Sequence, residues 1–234
     1  MLRSGIIAID GPAASGKSST ARAVAEAVGF SHLDSGAIYR AITHVALEEA
    51  RRAGVDNPLA VSMDGVLRRA EDRGFMLQPD GAGFAAYLDG EPADADLRTA
   101  AVTAHVSAVS AVPVVREWVN ARLRDLARAG VGVVVDGRDI GTVVFPDADV
   151  KIFLTATPEA RARRRLEQRG AVIDRAELER ETERLALRDQ ADASRAVAPL
   201  RRAHDAVEVD TTTLSFAEQV SRIVARARAV LSGN

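Results

Sequence analysis

Residues Gly11-Pro12-Ala13-Ala14-Ser15-Gly16-Lys17-Ser18 match the pattern G-x-x-x-x-G-K-[ST] at every fixed position, with Ser19 directly after it. Between a buried strand and a helix, such a loop cradles the phosphates of a nucleoside triphosphate. Its glycines allow torsions that turn successive N–H groups inward around an anion. The helix N-terminus adds partial positive charge. The Lys17 ammonium can follow charge on the β- and γ-phosphates, and the Ser18 hydroxyl can ligate Mg²⁺. Asp136 ends a second apolar run, the placement of an acid that holds a water of the Mg²⁺ shell. The loop alone implies a triphosphate donor and says little about the acceptor.

A second group of residues addresses the acceptor. Asp34-Ser35-Gly36-Ala37-Ile38-Tyr39-Arg40 follows the second expected strand and opens a helix, with Arg40 one turn inside it. Arg138 and Asp139 follow the central strand, and Arg116 lies on a helix nearby in sequence. Each arginine taken singly reads as a surface ion-pair partner. Together at strand ends beside a phosphate loop, they suit a monophosphate dianion and the charge spread over a transferring phosphoryl group. His32, His44, His105 and His204 have no spacing that points to metal ligation or catalysis.

These residues need a scaffold that brings strand ends to one edge. Ile6 to Ile9, residues 131–135 and Val150 to Leu154 read as strands buried on both faces, with weaker strands at Phe30 to Leu33 and Ala206 to Val209. Helices are expected from Lys17 to Val28, Ile38 to Ala53, Asp96 to Ala111 and Pro113 to Ala129. Thr157-Pro158 starts a further helix that Gly170 stops; Asp174 with Glu177 starts one running to about Asp189, and Ser215 with Glu218 caps the last. Alternating strands and helices mean a parallel sheet covered on both sides, with ligands at the carboxyl ends of its strands. Residues 74–97 break the alternation and read as short antiparallel strands, a small lobe grafted onto the core.

The bulk composition is that of a globular chain: 234 residues, 47% apolar and 27% charged, with a net charge of −2. No global basic field points to nucleic acid or a membrane surface. The arginine-crowded stretch from Arg161 to Arg202 reads mostly as a solvated helical face. Cysteine is absent, which removes disulfides, thiolate metal sites and cysteine nucleophiles together. The first residues lack the features of a secretory signal, and no apolar run approaches the ~18–20 residues that span a bilayer. The expected setting is the cytoplasm.

The sequence resembles the bacterial cytidylate kinases over nearly its whole length. The resemblance is carried by residues 7–12 with the phosphate loop, by 34–40, by the run 136–146 (DGRDIGTVVFP), and by 151–154 and 195–200. It implies that Arg40, Arg138 and Arg195 grip the monophosphate of CMP or dCMP. It further implies that Ser107, Arg116 and Asp139 read cytosine, and that Ser35 and Asp192 contact sugar hydroxyls. Arg188 and Asp192 match a family pattern, Arg-x-x-x-Asp-x-x-Arg, that ends at Arg195. Lys17, Arg138, Arg188 and Arg195 are then the catalytic cations. Cytosine offers an amino donor that Asp139 can accept, beside acceptors that Arg116 can serve; uracil does not match that pairing. Ser110 competes with Ser107 for the place facing the base, and Ala191 stands where some relatives carry arginine.

The implied fold is a three-layer α/β P-loop kinase: a five-stranded parallel sheet, a helical lid and a small antiparallel insert. The whole chain forms one kinase unit, with core segments 1–60, 98–155 and 190–234, a monophosphate-binding insert at 61–97 and a lid at 156–189. On the lid, Arg161, Arg164, Arg165 and Arg169 are candidates to close over the ATP triphosphate; Arg161 and Arg165 share one helix face. The implied reaction is direct transfer of the γ-phosphoryl group of Mg²⁺-ATP to CMP or dCMP by a monomer without macromolecular partners. Two rivals remain on the residues alone: the same chemistry on UMP, AMP or a small metabolite, and a module that uses ATP as a switch.

Overall fold

A computed structural model describes residues 2–81, 83–93, 96–128 and 130–232. Ala82, Asp94 and Ala95 of the expected insert, and Ala129 at the expected end of a helix, lie outside the described residues. In chain order the elements are β1 (Ile6–Asp10), α1 (Lys17–Val28), β2 (Ser31–Asp34), α2 (Ser35–Arg52), α3 (Met63–Asp72), β3 (Met76–Asp80), β4 (Gly83–Leu88), β5 (Glu91–Pro92), α4 (Ala100–Val109) and α5 (Pro113–Ala127). They continue with β6 (Val133–Gly137), β7 (Val150–Thr155), α6 (Pro158–Gln168), α7 (Arg175–Ala193), β8 (Val207–Asp210) and α8 (Phe216–Leu231). The chain divides into two units, one of Met1–Ser31 with Gly130–Asn234 and one of His32–Ala129. No helix among the described residues is long and apolar enough to cross a membrane.

In the first unit the strands run parallel in the order β6-β1-β7-β8. Parallel strands covered on both faces must be apolar throughout, and Ile7, Ala8 and Ile9 of the inner strand β1 are fully buried. Val24 of α1 and Ile223 and Leu231 of α8 pack with Ile7, Ile9, Val134, Ile152 and Leu154 into one core. Each large aliphatic side chain so buried contributes roughly 1.5–3 kcal/mol. The register pairs Asp10 with both Gly137 and Phe153, and Thr155 with Asp210, so these strand ends share one edge.

After β6, the backbone makes a wide π-type turn over Ile140–Val144, in which the Phe145 N–H donates to the Ile140 carbonyl (2.7 Å). Helices α6 and α7 pack on each other. Thr157 caps α6, and Asp174 caps α7 by accepting from the Glu177 N–H. Ser215 and Glu218 form a full capping box on α8. Helix α7 runs past the expected end near Asp189 to Ala193, so Arg188, Asp189 and Asp192 all lie on one continuous helix.

In the second unit, β4 pairs antiparallel with β3 and β5, and parallel with β2 at the single register point His32 to Gly83. The short antiparallel strands expected from the turn residues are therefore present. Helix α2 begins at Ser35, three residues before the expected start, because the Asp34 carboxylate accepts from the Ala37 N–H (3.1 Å) and caps it. Helix α3 was not expected. It is a short amphipathic helix of ten residues, with Met63, Val66, Leu67 and Ala70 buried and Ser62 as its cap. The helix expected from Asp96 to Ala111 is broken by a cap at Thr99, which leaves a 3₁₀ turn, Asp96–Arg98, ahead of α4.

Gly11 leaves β1 with φ +151°, and a Cβ there would overlap the Leu154 carbonyl oxygen of β7. Gly11→Ala should therefore lower unfolding free energy by about 3 kcal/mol. A chemical-denaturation midpoint unchanged from the parent chain would show that the sheet edge relaxes around the methyl group.

Candidate active site

The phosphate loop joins β1 to α1 and belongs wholly to the first unit. Gly16, in the left-handed region at φ 86°, starts α1, and no side chain caps that helix. Its first N–H groups are thus not claimed by a capping oxygen, the arrangement an anion site needs. Ser15 is fully buried and Lys17 nearly so. The Lys17 ammonium crosses the loop, donating to the Pro12 carbonyl (2.6 Å) and the Ser15 hydroxyl (3.3 Å). Burial first, and then the charge of Arg138, push its pKa well below the ordinary lysine range, against the pull of Asp136, Asp189 and Asp10. Phosphate oxygens supply the negative charge that keeps such an ammonium protonated.

The Ser18 hydroxyl donates to Asp136 Oδ2 (2.6 Å), and Asp136 is buried at the end of β6. Hydroxyl and carboxylate together form a small all-oxygen donor set, which fits Mg²⁺ held mainly by substrate phosphates and water. No cluster of three or more His, Cys, Asp or Glu residues that could hold a metal by itself occurs among the described residues.

Beside the loop, the structure gathers three of the sequence-derived residues around one carboxylate. Asp192 Oδ2 accepts from Arg138 Nε (2.8 Å) and Asp192 Oδ1 from Arg195 Nη2 (2.5 Å). Burial raises the Asp192 pKa, but Arg138, Arg195 and Arg188 outweigh it and hold the carboxyl below its ordinary value. Asp192 is 1% exposed, so the sequence reading of a sugar contact meets a carboxylate whose two oxygens already orient arginines. Asp139 is buried as well and begins the wide turn, its carbonyl accepting from the Val143 N–H (2.9 Å).

The α6 arginines divide by what they hold. Arg161 is buried and bonded to the Ala13 carbonyl (3.0 Å) and to Asp189 (2.5 Å). Arg164 donates to the hydroxyl of Thr211 (2.8 Å) and to its carbonyl (2.5 Å). Arg169 pairs with the buried Glu181 (3.0 Å), and Arg165 is half-buried.

The second unit carries the remaining sequence-derived residues. Ser35 is buried at the start of α2. A Cβ at Gly36 would stand 3.0 Å from Arg40 Nη1, so the glycine lets the Arg40 guanidinium lie back along the first turn of α2. A cation there opposes the helix dipole, and the Asp34 carboxylate that caps the same helix offsets it. Arg116 is 2% exposed, donates to the Ser110 carbonyl (3.1 Å) and lies 5.6 Å over the Tyr39 ring. The Ser110 hydroxyl donates to the Ser107 carbonyl (3.1 Å), a local back-bond, while Ser107 is half-buried.

Sequence reasoning missed two residues of the first unit. Asp189 accepts from the Ala13 N–H (2.8 Å). Asp10 accepts from the N–H groups of Ile140 (2.8 Å) and Gly141 (2.7 Å), tying the turn that carries Arg138 and Asp139 to the base of the phosphate loop. Its signal was its place just before Gly11, buried at the end of an apolar strand.

Burial raises the Asp10 pKa to about 6, against the lowering effect of those two N–H groups. A carboxyl raised in the folded state contributes stability below its unfolded pKa and loses it as pH rises through the folded value. Between pH 4 and pH 7, the unfolding free energy of the parent chain should therefore fall by about 2 kcal/mol relative to that of Asp10→Asn. Denaturant unfolding of both chains at the two pH values checks this; parallel profiles would show that Asp10 stays ionised throughout.

The cytidylate kinase family model matches residues 7–229. A cytidylate kinase from Anoxybacillus flavithermus is 47% identical over 221 residues, covering 93% of each chain. One from Streptomyces griseus is 46% identical over 220 residues, covering 94% of this chain and 90% of that one. A solved structure from Eubacterium ventriosum, described as an uncharacterized protein, covers 96% of this chain and 98% of its own. Its TM-score of 0.50 at 11% identity speaks to the fold alone. A family match across the phosphate loop, the wide turn and the Arg188–Arg195 segment leaves one assignment: this chain belongs to the cytidylate kinase family.

Proposed function

We propose that the chain transfers the γ-phosphoryl group of ATP to CMP, and to dCMP, in pyrimidine nucleotide metabolism, acting as a cytoplasmic monomer without nucleic-acid or membrane partners. The observation that carries this reading is the cation cluster beside the phosphate loop. Lys17 feels the charge of Arg138, and Arg138 shares Asp192 with Arg195. A triphosphate alone does not require that second set of arginines; a second phosphate does.

In this reading a CMP phosphate oxygen attacks the γ-phosphorus in line as the bond to the β,γ-bridging oxygen breaks, giving CDP and ADP. The attacking oxygen is already anionic, so neither a general base nor a covalent intermediate is needed. Gly11, Pro12, Ala13, Ala14, Ser15, Gly16, Ser18 and Ser19 line the triphosphate with Lys17. Arg165 serves it from α6, and Arg161 serves it through the loop backbone. Lys17, Arg138, Arg188 and Arg195 neutralise charge as it develops on the transferring group. Arg40 joins Arg138, Arg188 and Arg195 on the monophosphate, and Ser35 with Asp192 serves the sugar. Mg²⁺, when bound through Ser18 and the water held by Asp136, screens the phosphates. Asp139 accepts from the cytosine amino group and Arg116 donates to the ring acceptors. Ser107 is preferred to Ser110 at the base, because Ser110 already uses its hydroxyl within the helix. The α6–α7 pair is the lid of residues 156–189, the insert of 61–97 serves the monophosphate, and the rest of the chain is core.

Initial rates with ATP and equal concentrations of CMP, dCMP, UMP and AMP test the acceptor. CMP and dCMP should be used at least ~10-fold faster than the others, the worth of one unmatched buried polar group. ATP consumption without any acceptor would instead support the switch module. Asp139→Ala should raise KM for CMP ~10-fold and leave ATP affinity within about twofold; equal losses on both nucleotides would remove Asp139 from the base. Asp136→Asn should shift the Mg²⁺ dependence of turnover to higher concentration, and an unchanged dependence would exclude its metal role.

A further inference from the structure

Ala13, in the middle of the phosphate loop, is held through both of its backbone polar groups. Its N–H donates to Asp189 Oδ1 (2.8 Å) and its carbonyl accepts from Arg161 Nη1 (3.0 Å). The same Arg161 nitrogen reaches Asp189 Oδ2 (2.5 Å), which closes a ring of three hydrogen bonds. Arg161 Nε is fixed in turn by the Ala156 carbonyl just after β7 (3.2 Å). Arg161 is 6% exposed and Ala13 2% exposed, while the Asp189 side chain is 17% exposed. Ala13 packs with Ala162 of α6 and Leu185 of α7, with Ala14 and Leu178 against them. The next residue, Ala14, takes φ +57° although it is not a glycine. A left-handed alanine costs about 1–2 kcal/mol and persists only where its surroundings over-determine it.

We propose that Asp189, acting with Arg161, is a positioning residue for the phosphate loop: the pair fixes Ala13 so that Ala14 makes the left-handed turn and the N–H groups after it converge on the donor phosphates. The proposal deepens the donor half of the functional reading and rests on it. Asp189 claims the Ala13 amide for itself, so that amide is not one the donor phosphates can use. A carboxylate so placed would repel a triphosphate, and Arg161 cancels that charge without leaving the loop. Because the carboxylate and the guanidinium come from α7 and α6, loop shape and helix-pair packing depend on one another.

Two accounts of Asp189 give opposite signs. If its charge were all that mattered, Asp189→Asn would relieve repulsion and tighten ATP. If it positions the loop, Asp189→Asn loses the strong pairing with Arg161 and weakens ATP, although it keeps one acceptor for the Ala13 N–H. The test uses the full chain, with direct calorimetric titration of ATP in the absence of any acceptor, and steady-state rates with CMP. Asp189→Ala and Arg161→Ala should each weaken ATP ~10-fold, with KM for CMP within about twofold. The double variant should be no weaker than either single one, since both remove the same ring. Asp189→Asn and Arg161→Lys should fall between, and they carry the test if the alanine variants do not fold.

Unchanged or tighter ATP binding by folded Asp189→Asn would overturn the proposal. Additive losses in the double variant, or an equal rise in KM for CMP, would do so as well. A parent chain that binds ATP and does not phosphorylate CMP would refute the acceptor assignment and leave the ATP titrations as a valid test of Asp189.

Discussion

Taking an ion out of water costs several kcal/mol unless an opposite charge or several dipoles meet it, and the first unit buries many at one sheet edge. Lys17, Arg161, Asp10, Asp136, Asp139 and Asp192 are all less than a tenth exposed. Their arrangement answers that cost locally. Asp192 is met by Arg138 and Arg195, Asp10 by two backbone N–H groups, Arg161 by Asp189 and two carbonyls. Lys17 meets a carbonyl and a hydroxyl directly and feels Asp136, Asp189 and Asp10, yet burial and Arg138 still push its pKa down. On the proposed reaction, the charge that completes its compensation is the substrate's own.

The same edge shows how backbone amides are allotted. An N–H buried without an acceptor costs about 1–3 kcal/mol, and three near the loop are met by carboxylates. Those of Ile140 and Gly141 go to Asp10, and that of Ala13 goes to Asp189. Those at the start of α1 are claimed by no capping side chain. On the proposed reading, a carboxylate that takes a loop amide also withdraws that amide from the phosphates. Gly11 fits this picture, because only a residue without Cβ passes the Leu154 carbonyl and still delivers the chain into the loop.

Much of this was legible in the sequence where the signal is local. The boundaries of α1 follow from Gly16, an alanine-rich run and Gly29, and the caps at Thr157, Asp174 and Ser215 need no partner beyond the next turn. The sheet follows from apolar runs ended by Asp10 and Asp136. Less legible was α3, because Gly65 stands where a capping-box Glu or Gln would follow Ser62, and an apolar set of four residues in ten reads equally as loop. The least legible residues were those with distant partners. Asp10 meets the 140–141 backbone across 130 residues, and Asp189 meets Ala13 across 176. Arg161 had charge and spacing in favour of a direct phosphate contact; only burial and its three acceptors show that it holds the loop itself.

Charge explains affinity for phosphates, yet it cannot tell cytosine from uracil, since both bases are neutral. Discrimination has to come from hydrogen-bonding groups whose orientation is set before the base arrives, because a mobile group would simply turn to suit either base. On the proposed assignment Arg116 of the second unit is one such group. Arg116 is buried, its Nη1 donates to the Ser110 carbonyl, and the Tyr39 ring lies beneath its guanidinium. A planar cation held on one side by a carbonyl and on its face by a ring keeps its remaining N–H directions fixed. Lysine in that place would keep the charge and lose the direction. On the proposed assignment the arginines of this chain do two different kinds of work: Arg138 and Arg195, held by a shared carboxylate, gather charge, and Arg116, held by a carbonyl and a ring, carries shape.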